Sequence, residues 1–248
     1  LLVADGGFGG RLEIVDHRVD VTVNNGIAVT QIEQTFRNLE NRQVEALYTF
    51  PVPEGASVSG FSMWINGEEM VGEVLEKQRA REIYNSYKVQ RRDPGLLEQN
   101  DFKSFEMRIF PIAPKAEQRI RLTYYQELDV DHNMMTFVYP LATEPGKVTA
   151  DTRVTGTFAF NANIRSEIPI TTLNSPSHKD QLAIARFQPN YCLASIEIPE
   201  GSLSRDIVLN YDLKRPKTGL DVITSRMDRE DGYFCMTFSL GEELEGEN

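Results

Sequence analysis

The 248 residues are 40 % hydrophobic and 25 % charged, the proportions of a folded globular chain rather than a disordered or membrane-embedded one. A chain of that size suffices for one large all-β domain or two smaller ones and buries about 70 to 75 % of its unfolded surface. A formal net charge of -11 argues against the clustered Lys and Arg of nucleic-acid binding, and no apolar run approaches the roughly 20 residues that span a bilayer.

The sequence starts at Leu1 rather than Met and reads as trimmed from something longer, so any signal or anchor would lie outside it. The opening LLVADGGFGG has no helix pattern after it, which makes residues 1–11 a flexible lead-in and a poor phosphate loop. RLEIVDHRVDVTV then alternates apolar and polar residues, breaks at Asn24-Asn25-Gly26 and resumes as IAVTQIEQTFRN, the pattern of a β-hairpin with a tight Asn-Gly turn. Apolar parity changes between Val29 and Ile32, which predicts a bulge there. EALYTF and GFSMWI read as further strands, with Asn66-Gly67 as the next turn.

Residues 72–99 break this rhythm. Ala80, Ile83, Tyr84 and Tyr87 fall at helical spacing and form one apolar stripe, predicting a helix that lies on a sheet and stops before Asp93-Pro94-Gly95. Its basic residues Lys77, Arg81, Lys88, Arg91 and Arg92 form a positive island in an acidic chain and are the candidate interaction surface. SFEMRIF and QRIRLTYYQEL follow as a second predicted hairpin, with Ile120, Leu122 and Tyr124 facing inward. Beyond residue 145 come TRVTGTFAFNANI, QLAIARFQP, CLASIEIPE, DIVLNYDL and GYFCMTFSL, a second sandwich-like unit.

Catalytic chemistry is thin. His17, His132 and His178 stand in unrelated segments without a nucleophile elbow or basic-flanked cysteine. Asp129–Asn133 imitates a calcium loop but has Met134 where glycine is required and Pro140 in place of the bidentate glutamate, so it reads as a turn. Glu68-Glu69 lacks the aromatic cleft of a glycosidase, Trp64 being the sole tryptophan. Cys192 and Cys235 lie in strand-like runs and either pair across strands or are two separate buried thiols.

The order of motifs says more than any one of them. QIEQTFRN, EALYTFPVPEGASVSGFSMWING, GEVLEKQRAREIY, LLEQNDF and a strand pair ending in LTYYQEL resemble the VIT domain of vault proteins and inter-alpha-trypsin inhibitor heavy chains. The resemblance sets 12–144 as a VIT domain and 145–248 as the β unit that leads toward a von Willebrand A domain, whose Asp-x-Ser-x-Ser metal motif is absent here. Two departures stand out: Gln99 occupies a position that in the family is often Pro, and Lys115 one that is often Gly.

The expected fold is therefore all-β with one short helix, in two β-sandwich-like units. The expected function is a non-catalytic protein-interaction or scaffolding module of an extracellular or cell-envelope protein, without cofactor, whose partner is another protein or the adjacent von Willebrand A domain. The alternative is a module for sulfated polysaccharide that uses the basic island with Tyr84, Tyr87 and Trp64; an enzyme with a spatially assembled site ranks third.

Overall fold

The computed structural model describes residues 2–3, 12–65, 67–72, 85, 95–99, 104–141, 154–199, 201, 205–214, 218–225 and 231–240. In chain order the strands are β1 (Leu2–Val3), β2 (Leu12–Asn24), β3 (Ile27–Asn38), β4 (Val44–Pro51), β5 (Ser57–Ile65), β6 (Glu68–Val71), β7 (Gly95–Gln99), β8 (Ser104–Ile112) and β9 (Glu117–Glu127). They continue as β10 (Asp129–Asp131), β11 (Met134–Tyr139), β12 (Thr157–Arg165), β13 (Ile170–Asn174), β14 (Ala183–Gln188), β15 (Tyr191–Pro199), β16 (Ile207–Leu213), β17 (Thr218–Ser225) and β18 (Tyr233–Leu240). The fold is all-β. Of the predicted helix only Asn85 is described, helical and exposed; the stripe Ala80, Ile83, Tyr84 and Tyr87 lies outside the described residues.

β2 and β3 form the predicted hairpin. Asn25 and Gly26 have φ of 47° and 85°, the doubly positive turn whose twist matches the flanking strands. Around this pair grows an eight-stranded sheet of order β14-β15-β12-β2-β3-β9-β5-β6. Its pairings are antiparallel except at β2–β12, which run parallel from His17↔Phe158 to Asn24↔Arg165. One sheet thus continues through residues on both sides of position 144.

Two four-stranded sheets, β1-β4-β8-β7 and β10-β11-β16-β13, accompany it. The second covers β2 and β12: Phe137 and Tyr139 of β11 set their rings 6.0 and 6.4 Å from Phe160, and Phe158 packs 5.3 Å from the His17 ring. The buried residues of all these layers form one apolar cluster, from Val44, Phe36 and Ile120 at one end to Ile196 and Tyr211 at the other. Ile120, Leu122 and Tyr124 face inward as the alternation predicts.

Two expectations are corrected. SFEMRIF and QRIRLTYYQEL are β8 and β9, but they do not pair: β8 joins β4 and β7, while β9 joins β3 and β5. The chain turns a corner at Pro111–Ala116 instead, pinned by Asn38, whose side-chain amide donates to Arg42 O, Ile112 O and Ala113 O at 2.8, 3.1 and 2.9 Å.

The bulge is likewise not between Val29 and Ile32, where β3 keeps unbroken register with β2 and β9. Val29 is simply exposed, while Thr30, Gln34 and Asn38 take inward positions that a hydrophobic count misses. The irregularity falls at Val15 in β2. There the carbonyls of Ile14 and Val15 accept from Thr155 N and Gly156 N at 2.9 and 2.8 Å, so the extra residue is where the 154–157 segment docks.

Candidate interaction surfaces

The basic island expected to form the interaction surface, Lys77, Arg81, Lys88, Arg91 and Arg92, lies outside the described residues, as do Tyr84 and Tyr87. Trp64, grouped with them above, projects from β5 over different cations: Arg119 and Arg121 place their guanidinium carbons 4.2 and 4.9 Å from its ring centroid.

Those arginines belong to an ionic ladder on the outward face of the large sheet. Glu33 of β3 accepts from Arg119 at 2.5 Å and from Arg121 at 2.6 Å, and Arg121 reaches on to Glu69 of β6 at 3.0 Å. Arg37 bridges Glu13 and Glu117 at 2.8 and 2.6 Å. Burial alone would push the Glu33 carboxyl up, but the hydrogen bonds from Arg121 and Arg119 outweigh it and hold the group below its ordinary value. The register produces this ladder directly, since Glu33 sits opposite Arg121 and Arg37 opposite Glu117.

The histidines have separate structural settings. His17 is buried and bonded to Tyr139, and burial lowers its pKa to about 3. His132 takes the tight turn between β10 and β11 at φ 55°, beside Asp131 at 2.6 Å, so the imitation calcium loop is a hairpin turn. His178 is buried; its pKa is lowered by burial and then by the charge of Arg205. Its Nδ1 bonds the Ser177 hydroxyl at 2.8 Å, and that hydroxyl also accepts from Val208 N at 2.8 Å, which fastens the 175–178 turn to β16. Among the described residues no group of three or more His, Cys, Asp or Glu is placed to hold a metal.

Cys192 is buried and Cys235 exposed, and both thiols are free. Neither expectation for the pair holds in full, because Cys235 lies on a hairpin with little cover. β17 and β18 form a two-stranded sheet of their own. Their register sets Leu220 opposite Phe238, Val222 opposite Met236 and Thr224 opposite Phe234, so five apolar side chains share one face. Their exposures are 56, 64, 41, 56 and 71 % for Leu220, Phe238, Val222, Met236 and Phe234. The sequence announced β18 as a strand but not this exposure, because alternation identifies an apolar face without saying what covers it.

Strands β3, β5 and β6 and most of β2 and β9, five of the eight strands of the large sheet, lie within residues 14–124, which match the family model described as the vault protein inter-alpha-trypsin domain, VIT. Residues 14–124 are a VIT domain. The human protein mono-ADP-ribosyltransferase PARP4 is 29 % identical over 220 residues, 89 % of this chain and 12 % of that protein. The rat von Willebrand factor A domain-containing protein 5A is 23 % identical over 184 residues, 72 % of this chain and 22 % of the relative. The chain therefore spans less than a quarter of the length of either relative. A solved Legionella pneumophila structure, assigned to nutrient binding, covers 86 % of this chain and 70 % of its own with a TM-score of 0.54 at 13 % identity, a likeness of fold.

Proposed function

We propose that this chain is a non-catalytic protein-interaction module that docks a folded protein domain on the apolar face of the β17–β18 hairpin. The observation that carries this reading is the contiguous exposure of Leu220, Val222, Phe234, Met236 and Phe238. A two-stranded sheet is marginal in water on its own, and a continuous apolar patch exposed on a soluble domain marks an interaction surface. In the relatives that carry von Willebrand A domains, the partner in cis would be such a domain, and the VIT domain would be its support. The same resemblance to heavy chains favours an extracellular or cell-envelope setting.

Calorimetric titration of the chain against a panel of von Willebrand A domains tests the reading, with a Phe234→Ser, Phe238→Ser double variant as the control. Saturable binding that the double variant loses supports it. Equal binding by both chains, or no binding to any such domain, removes it.

A further inference from the structure

At the far end of the large sheet, two arginines that hold no acid converge on one aromatic ring. Arg165, the last residue of β12, and Arg186 of β14 place their guanidinium carbons 5.6 and 5.4 Å from the ring centroid of Tyr191. Neither has a carboxylate partner among the described residues. By contrast Arg18, Arg37, Arg119 and Arg121 on the same sheet each hold one. In a chain of net charge -11, two exposed cations left unneutralised side by side repel one another unless an anion joins them.

They line a hollow of about 500 Å³ with Asn24, Asn190 and Ser166, and with Glu167 as the carboxylate of its lining. The floor is fixed before any ligand arrives. Asn190 donates through its side-chain amide to Ser166 O and Glu167 O at 2.7 and 3.0 Å, and Glu167 N donates to Asn25 Oδ1 at 2.8 Å. Such stitching lowers the ordering cost of binding.

The hollow continues along the sheet. Stepping two residues at a time down each strand keeps to the same face: Arg165 leads to Asn163 and Asn161, Tyr191 to Leu193 and Ser195, and Asn24 to Thr22 and Asp20. A second hollow of about 360 Å³ lies over these residues, where Asn161 donates to Asp20 at 2.8 Å. The trough from Arg165 to Asn161 is about 13 Å long, four residues at ~3.3 Å each. Its walls are amides, hydroxyls and the carboxylates of Glu167 at the arginine end and Asp20 at the other, with Leu193 an aliphatic among them.

This surface is a sheet face, and β12 and β15 are paired on both sides, so their main-chain groups are already used. An extended peptide cannot add to it as a strand. What remains is side-chain recognition of a ligand rich in hydroxyls that carries an oxyanion at one end, where two guanidinium forks can grip it. We infer that this trough binds a saccharide bearing a sulfate or phosphate group, the charged group seated between Arg165 and Arg186. The site is independent of the hairpin face.

The test titrates the whole chain, by chemical-shift perturbation, with a trisaccharide carrying one terminal 6-sulfate, the same sugar with 6-phosphate, the unsubstituted sugar, inorganic sulfate and a hexaglutamate peptide. A charged trisaccharide binds about ten-fold or more tightly than its unsubstituted parent, as expected of charge-assisted hydrogen bonds. Arg165→Gln and Arg186→Gln each remove most of that advantage, while Asn161→Leu weakens the sugar and leaves inorganic sulfate unaffected. All three positions are at least partly exposed, so an unchanged melting temperature shows that folding is retained. The sulfated and phosphorylated arms distinguish which oxyanion is preferred. Absence of binding, affinity unchanged in both arginine variants, inorganic sulfate binding as tightly as the trisaccharide, or hexaglutamate binding in its place would each overturn the assignment.

Discussion

His17 Nε2 lies 2.8 Å from the Tyr139 hydroxyl, a contact between residues 122 apart in sequence that joins the large sheet to the β10-β11-β16-β13 sheet. The other ring nitrogen, Nδ1, is buried without a partner among the described residues. A neutral imidazole carries one N–H, and placing it on Nε2 leaves Nδ1 a bare acceptor, which costs less than burying an orphaned donor. A second proton would have nowhere to go.

The pH consequence has a definite sign. Burial depresses the folded pKa of His17 from 6.5 to about 3, so between those values the unfolded chain binds a proton that the folded chain refuses. Stability is full above pH 6.5 and falls as pH drops toward 3, by about 1.4 kcal/mol per pH unit in that window. His178, also lowered by burial, acts in the same direction. Urea denaturation from pH 7.5 to 4 should show this slope, and His17→Gln should be less stable at pH 7.5 with a shallower slope. An identical slope in the variant would mean that other groups set the acid sensitivity.

Lys115 occupies the left-handed region at φ 57°, at the position where VIT domains often carry glycine. A side chain there costs about 1 kcal/mol or somewhat more. Against this, its main-chain N donates to Glu40 O at 3.2 Å and its ammonium to Leu39 O at 2.5 Å, the latter an exposed contact of small value. Lys115→Gly is therefore expected to raise stability by roughly 0.5 to 1 kcal/mol, read as a higher melting temperature. A lower one would show that the ammonium contact outweighs the backbone cost.

Gly156 faces the bulge. A Cβ there would stand 2.6 Å from Val15 O and 2.8 Å from Asp16 Oδ1, and the first of these is backbone held in the sheet. Gly156→Ala should destabilise by about 1 to 3 kcal/mol, as overpacking does. Gly55, whose added Cβ meets nothing within 4 Å but whose φ is 79°, provides a comparison in which only backbone strain acts. Chemical denaturation of the two alanine variants separates collision from strain.

Glu33 of β3 holds two arginines of the neighbouring strand β9. Glu33→Gln should cost about 1 kcal/mol or less at low salt, because the pairs are partly exposed, and the difference should shrink in 1 M salt. Trp64, the sole tryptophan, sits under both guanidinium groups, so its fluorescence should change with the substitution even where stability hardly does. An unaltered emission spectrum would mean that the arginines keep their places without the carboxylate.

How legible all this was in the sequence depended on distance along the chain. The Asn25-Gly26 turn and the inward side of β9 follow from neighbouring residues, so alternation and turn chemistry predict them. The corner between β8 and β9 does not, since Asn38 imposes it from more than 70 residues away. The bulge was misplaced because Thr30 and Gln34 are polar residues in core positions, and a hydrophobic pattern reads them as outward. The trough over Tyr191 was invisible for the same reason as the parallel β2–β12 pairing that builds half of it: both depend on which strands become neighbours. The hairpin face was half legible, its apolar alternation plain and its lack of cover not.

That parallel pairing makes the chain a poor candidate for being cut in two. Severing it after residue 144 would remove β12 and bare the edge of β2 from His17 to Asn24, a long run of open amides and carbonyls beside Val19, Val21 and Val23. Such an edge recruits whatever strand is at hand. A fragment trimmed to the matched family segment should self-associate through β2, whereas the whole chain keeps that edge occupied with a strand of its own and melts as one unit.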